Sequence, residues 1–150
     1  MRVPEYMQRE VQMRLSEGAV APERAHPSDA GADLRSIDTT SITPGFMQLL
    51  DTGVALKIPV GYVGLVYPRS SMGKIRVTLA NGTGVIDSDY RGNIKVLLVN
   101  EGCDSFYVIA KETKIAQLVI VPIMLAKFVP FEDSWDDTVR GTGGFGSTGT

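Results

Sequence analysis

No window of about 12 residues in this chain keeps its apolar side chains at the 3.6-residue period of a helix face. That excludes a helical core and leaves at most a single turn near Ser70–Lys74. Short apolar runs recur instead. Val11-Gln12-Met13-Arg14-Leu15 alternates at the two-residue period of a half-buried strand. A loop carrying Gly18, Pro22, Pro27 and Gly31 leads to a short strand at Leu34. Pro44-Gly45 marks a turn ahead of Phe46–Pro59, and Pro59-Val60-Gly61 marks another ahead of Tyr62–Tyr67. Residues 75–80, 93–100, Ser105–Ile109, Ile115–Ile123 and Ala126–Phe131 give further strands. Gly, Pro, Asn or Asp breaks the chain every roughly 8–12 residues, the rhythm of an all-β, jelly-roll-like sandwich or barrel.

At 150 residues the chain has the length of one domain with a substantial core, and no repeat or linker divides residues 1–150. Residues 1–10 are polar and expected to be loosely ordered. A formal net charge of −2 argues against a nucleic-acid partner, which would be held by a basic face. The lone Cys103 excludes an internal disulfide or a cysteine-cluster metal site. His26 is the only histidine and lies in a Pro-rich loop, which gives no support to a histidine triad or a zinc site. The N-terminal MRVPEYMQREVQMRL is charged throughout, unlike a signal peptide, and no apolar run approaches the roughly 20 residues needed to span a bilayer. A soluble, cytoplasmic protein without a membrane partner is expected.

The chemistry concentrates in GVIDSDYRGN, Gly84 to Asn93, between two β-branched-rich runs. Gly84, Ser88 and Gly92 suit a plain turn. The Val85-Ile86-Asp87 step instead suggests a strand that delivers a carboxylate on a fixed backbone. On spacing alone, the surface turn and the functional loop stay equally open. Asn81 tilts the balance, because an amide has donor and acceptor edges that can read a base or an amide ligand. Asp33 stands at the start of a strand, where a turn residue is the commoner case. Pro68 to Lys74 gathers Arg69, Ser70, Ser71 and Gly73, donors suited to an anion or simply to an exposed polar turn. Gln117 interrupts an apolar strand, and a buried amide without a partner costs about 1–3 kcal/mol, so it must have one.

From Arg140 the chain reads RGTGGFGSTGT, five glycines in eleven residues with one aromatic. Such a segment buries too little apolar area to offset its ordering entropy, so residues 140–150 are expected to form a mobile arm. Glycine amides can approach phosphate oxygens closely. Arg140 adds charge, Phe145 a stacking face, and Ser147 and Thr148 hydroxyls, together the chemistry of phosphate capture.

Taken in order, AGADLRS, PRSSMG, NGTGVIDSDYRG, KIAQL and RGTGGFGSTG resemble the five motifs of the trimeric dUTPase family, from about Ala30 to Gly149. The resemblance implies a jelly-roll homotrimer whose three active sites are each shared between subunits. It implies hydrolysis of dUTP to dUMP and pyrophosphate with Mg²⁺, limiting uracil incorporation into DNA and supplying dUMP. Asp87 corresponds to the general base that activates water against the α-phosphorus, and Tyr90 to the residue packed on the deoxyribose. Asn81 with the backbone of Gly84, Val85 and Ile86 corresponds to the uracil-reading hairpin, with Lys95 contacting mainly through its backbone. Arg69, Ser70, Ser71, Gly73 and Gln117 correspond to phosphate ligands, and Asp33 to a group that meets Mg²⁺ through water. Arg140, Ser147 and Thr148 correspond to the γ-phosphate grip, with Phe145 stacked on uracil.

Two positions depart from the usual pattern. Asn93 stands where many members have Glu, and Lys114 where many have Arg; neither is placed on the expected reaction path. The related dCTP deaminases share the fold, but this chain lacks the Glu they need after the central motif. A nucleotide-sensing module that presents the same trimer to a regulatory protein is the alternative from another class.

Overall fold

The computed structural model describes residues 9–102, 105–131 and 138–144. Among these, regular structure consists of eleven strands and one five-residue helix. The strands are β1 (Gln12–Leu15), β2 (Ala32–Arg35), β3 (Thr40–Ile42), β4 (Met47–Asp51), β5 (Val54–Lys57), β6 (Tyr62–Tyr67), β7 (Val77–Leu79), β8 (Gly84–Ile86), β9 (Lys95–Asn100), β10 (Tyr107–Ile109) and β11 (Lys114–Pro122). The helix α1 (Ser70–Lys74) is the single turn that the sequence allows, pinned by buried Met72. Every pairing is antiparallel. A four-stranded sheet runs β2-β11-β6-β8 and a three-stranded sheet β4-β9-β7, with β1-β5 and β3-β10 as two-stranded ribbons. The fold is all-β and jelly-roll-like.

The core follows from strand alternation. On β9, Val96, Leu98 and Asn100 point inward while Lys95 faces solvent. Leu34, Val54, Val66, Ile94, Leu98, Ile115 and Leu118 belong to one buried apolar cluster drawn from both larger sheets. Inward-facing Asn100 is satisfied: its amide donates to the Ile42 and Ser105 carbonyls at 2.9 and 3.1 Å and accepts from Gly102 N–H at 2.9 Å.

Phe46–Pro59 does not run as one strand. It breaks at Thr52-Gly53, where β4 leaves one sheet and β5 enters a ribbon. Gly53 has φ +65°, and a Cβ there would lie 2.6 Å from the Ala19 methyl, so only glycine fits this corner. β3 had no signal of its own in the sequence. The strand expected over Ala126–Phe131 is absent: the segment has no regular structure, Phe128 is 94% exposed, and Pro130 has no N–H for a ladder. Cys103 and most of residues 1–10 lie outside the described residues.

Candidate active site

Three of the five motif stretches meet at one end of the four-stranded sheet. Asp33 on β2 pairs in register with Gln117 on β11, and Gln117 pairs with Tyr67 at the end of β6. Two residues beyond Tyr67, Arg69 folds back over this row. Its Nε donates to Asp33 Oδ1 at 2.7 Å, while Lys114 Nζ lies 2.7 Å from Asp33 Oδ2. Arg69 Nη1 also donates to Ser71 Oγ at 3.1 Å and to the Lys114 carbonyl at 3.4 Å. Gln117 Nε2 donates to the Pro68 carbonyl at 3.0 Å, which supplies the partner that its place in an apolar strand demands.

Asp33, Arg69, Ser70 and Gln117 line a cavity of about 330 Å³ together with Asp29 and Gly31. The Asp33 side chain is only 13% exposed, so its two ion pairs are partly shielded from water. Arg69 and Lys114 together balance the Asp33 and Asp29 carboxylates, so an anion here would be met by the donors of Arg69 and Ser70 rather than by an excess of positive charge. Gly73 lies beside this cluster in α1, and a Cβ there would meet nothing within 4 Å. Lys114 was placed off the reaction path by its sequence position. The structure puts its ammonium directly on Asp33: β11 lies beside β2, and from its place opposite Arg35 the long Lys114 side chain reaches along the strand to the Asp33 carboxylate.

The central motif occupies the opposite edge of the same sheet. Among the described residues β8 pairs only with β6, so one row of its backbone groups at Gly84, Val85 and Ile86 has no strand partner there. A turn from Leu79 to Gly82 leads into it, with Asn81 exposed and its amide 3.4 Å from the Thr83 carbonyl. Asp87 follows β8 directly and is exposed. Among the described residues its carboxylate accepts no hydrogen bond, while its carbonyl accepts the Tyr90 N–H at 3.2 Å. Arg91 Nη1 staples this turn by donating to the Ser88 and Tyr90 carbonyls at 2.7 and 2.9 Å. Lys95 starts β9 opposite Asp51 and faces solvent.

One chain does not bring these two groups of residues together. Ile86 is opposite Gly64, so Asp87 continues toward Val63, whereas Arg69 leaves from the other end of β6. At about 3.3 Å per residue and 4.8 Å per strand, Asp33 and Asp87 stand on the order of 15–20 Å apart. Arg140 is exposed and its Nε donates to the Gly143 carbonyl at 3.0 Å, within its own turn. Phe145, Ser147 and Thr148 lie outside the described residues.

The dUTPase family model matches residues 17–149. The chain belongs to the dUTPase family. It is 44% identical over 137 residues to the deoxyuridine 5'-triphosphate nucleotidohydrolase of Rhodococcus erythropolis, covering 91% of this chain and 83% of that one. The corresponding dUTPase of Nautilia profundicola is 45% identical over 137 residues, covering 91% and 95%. A Staphylococcus bacteriophage 80alpha dUTPase mutant solved with dUpNHpp superposes with a TM-score of 0.88 at 32% identity, covering 95% of this chain and 100% of the other. A dUTPase mutant from phage phi11 of S. aureus gives a TM-score of 0.76 at 33% identity, covering 83% and 98%, and is described as showing a structural Mg(II) ion.

The described residues contain no group of three His, Cys, Asp or Glu that could hold a metal alone. Asp33 is nevertheless a fitting outer partner for Mg²⁺, which keeps several waters and takes its other ligands from substrate phosphates. Each carboxylate oxygen that accepts one cation still has a lone pair for a metal-bound water. No helix among the described residues is long and apolar enough to cross a membrane.

Proposed function

We propose that this dUTPase-family chain hydrolyses dUTP to dUMP and pyrophosphate in a homotrimer whose copies share each active site. The observation that carries it is the separation of a preassembled cation cluster at Arg69 from the Asp87 carboxylate, which accepts no hydrogen bond among the described residues, on opposite edges of one sheet. A site needing both draws them from different copies. The chain acts as one domain, residues 1–150, with 140–150 as its arm.

In this scheme Arg69, Ser70, Ser71 and Gln117 hold the phosphates, with Gly73 giving the backbone close approach. Asn81 and the free edge of β8, through Gly84, Val85 and Ile86, hydrogen-bond uracil and leave no room for a 5-methyl group. Lys95 adds a contact at the start of β9. Tyr90 packs against the deoxyribose and excludes a ribose 2′-hydroxyl. Asp87 takes a proton from the water that attacks the α-phosphorus, an assistance worth roughly 10²–10⁴-fold. Mg²⁺, held by the phosphates and reached by Asp33 through water, neutralises charge on the triphosphate. Arg140, Ser147 and Thr148 grip the γ-phosphate and Phe145 covers uracil, excluding bulk water from the reaction.

The test is pyrophosphate release with Mg²⁺ from dUTP, UTP, dTTP and dCTP. Strong preference for dUTP is expected, and Asp87→Asn is expected to lose turnover while retaining nucleotide binding. Equal rates on all four nucleotides would contradict the proposal.

A further inference from the structure

We infer that Gly92 and Asn93, anchored to the β4–β5 corner, are positioning residues that set sugar selectivity by fixing the ring of Tyr90. The inference rests on the proposed role of Tyr90 against deoxyribose.

Tyr90 is 42% exposed on a crossover between the two larger sheets, and an exposed ring on a loop ordinarily changes rotamer in ps–ns. Here it is held. Its hydroxyl donates to the Asn93 carbonyl at 2.9 Å. Its ring lies back across Gly92, where a Cβ would come within 2.5 Å of the hydroxyl oxygen and 2.7 Å of Cζ. Any side chain at position 92 therefore displaces the ring.

The accepting carbonyl is itself fixed. Asn93 Nδ2 donates to Ser16 Oγ at 3.1 Å and to Asp51 Oδ2 at 3.3 Å. Asp51 Oδ1 accepts the Gly53 N–H at 2.6 Å, tying the same carboxylate to the corner. The next residue, Ile94, is fully buried; its N–H donates to the Val54 carbonyl at 2.8 Å, and its carbonyl accepts the Thr52 hydroxyl at 2.7 Å. The carbonyl that holds Tyr90 is thus clamped through its own side chain and through its neighbour's backbone.

Rigidity matters because the two sugars differ by one oxygen atom. A ring that yields by about an ångström would admit the extra hydroxyl, and shifts of that size change rates by up to about 10²-fold. Stabilising the fold alone does not require this arrangement at an exposed tyrosine. A ring that must hold one position against a sugar gains from it.

The test compares kcat/KM for dUTP with that for UTP. Gly92→Ala is expected to lower this ratio about tenfold and Asn93→Ala about threefold, mainly by raising activity on UTP. In a Tyr90→Phe background, which lacks the hydroxyl, Asn93→Ala should lower the ratio no further. Asn93→Asp combined with Asp51→Asn reverses donor and acceptor and should restore the wild-type ratio. Asn93→Ala, which removes only partly exposed hydrogen bonds, keeps the test usable if Gly92→Ala does not fold. The inference is overturned if Tyr90→Ala lowers the ratio while Gly92→Ala and Asn93→Ala leave it unchanged; the role of Tyr90 then survives. If Tyr90→Ala itself leaves the ratio unchanged, that role fails and the brace with it.

Discussion

Around Asp33, four polar side chains already have partners within the chain. Its carboxylate holds Arg69 and Lys114, Arg69 reaches Ser71, and Gln117 reaches Pro68. Around Asp87 the backbone is stapled by Arg91 and Tyr90 is braced, yet the carboxylate accepts nothing among the described residues. The two regions sit on one sheet and are built differently because their proposed tasks differ. A phosphate holder gains from donors fixed before the anion arrives, since little reorganisation remains at the moment of reaction. An acid that activates water needs its lone pairs unengaged and its backbone rigid.

That contrast can be broken most severely at Asp87. Asp87→Asn is expected to lower kcat by roughly 10²–10⁴-fold with nucleotide affinity retained, measured by pyrophosphate release and by calorimetric titration with a non-cleavable dUTP analogue. Ending the chain at Val139 comes next. Among the described residues the buried cluster includes none beyond Leu118, with Ile120 packed against it, so melting should be nearly unchanged while turnover falls by about 10²–10³-fold. Arg69→Met sharpens the other side of the contrast. Loss of charge-assisted hydrogen bonds worth about 1.5–3 kcal/mol should weaken nucleotide binding by roughly 10–10²-fold.

Lys114→Met should do less. Its side chain is 31% exposed and one cation remains on Asp33, so under about tenfold weaker binding and less than ~1 kcal/mol of stability are expected in nucleotide titration and denaturant melts. If Lys114→Met equals or exceeds Arg69→Met, the ranking of the two cations is wrong.

Much of this was legible in the chain. Strand alternation located β1, although all four of its residues are exposed rather than half-buried; the absence of helical periodicity left only α1, and the Val85-Ile86-Asp87 step put a carboxylate at a strand end. What stayed hidden depends on register. Nothing local in Thr40–Ile42 announces β3, whose ladder exists only because β10 returns beside it. The apolar run 126–131 has strand-like composition and no strand, because composition cannot say whether a neighbour is present to pair. Lys114 and Asn93 read as minor departures from a motif. Their contacts with Asp33 and Asp51 form only when β11 lies beside β2 and when the crossover folds onto the β4–β5 corner.

The separation of Arg69 from Asp87 is tested most directly by co-expressing two impaired variants, Arg69→Met and Asp87→Asn, and assaying the mixture at dUTP too dilute to saturate Arg69→Met. If each site takes these residues from different copies, each has an even chance of being intact, and about a quarter of wild-type activity should return. If the mixture is no more active than the two variants measured apart, both residues serve one site from one chain, and the shared-site account is wrong.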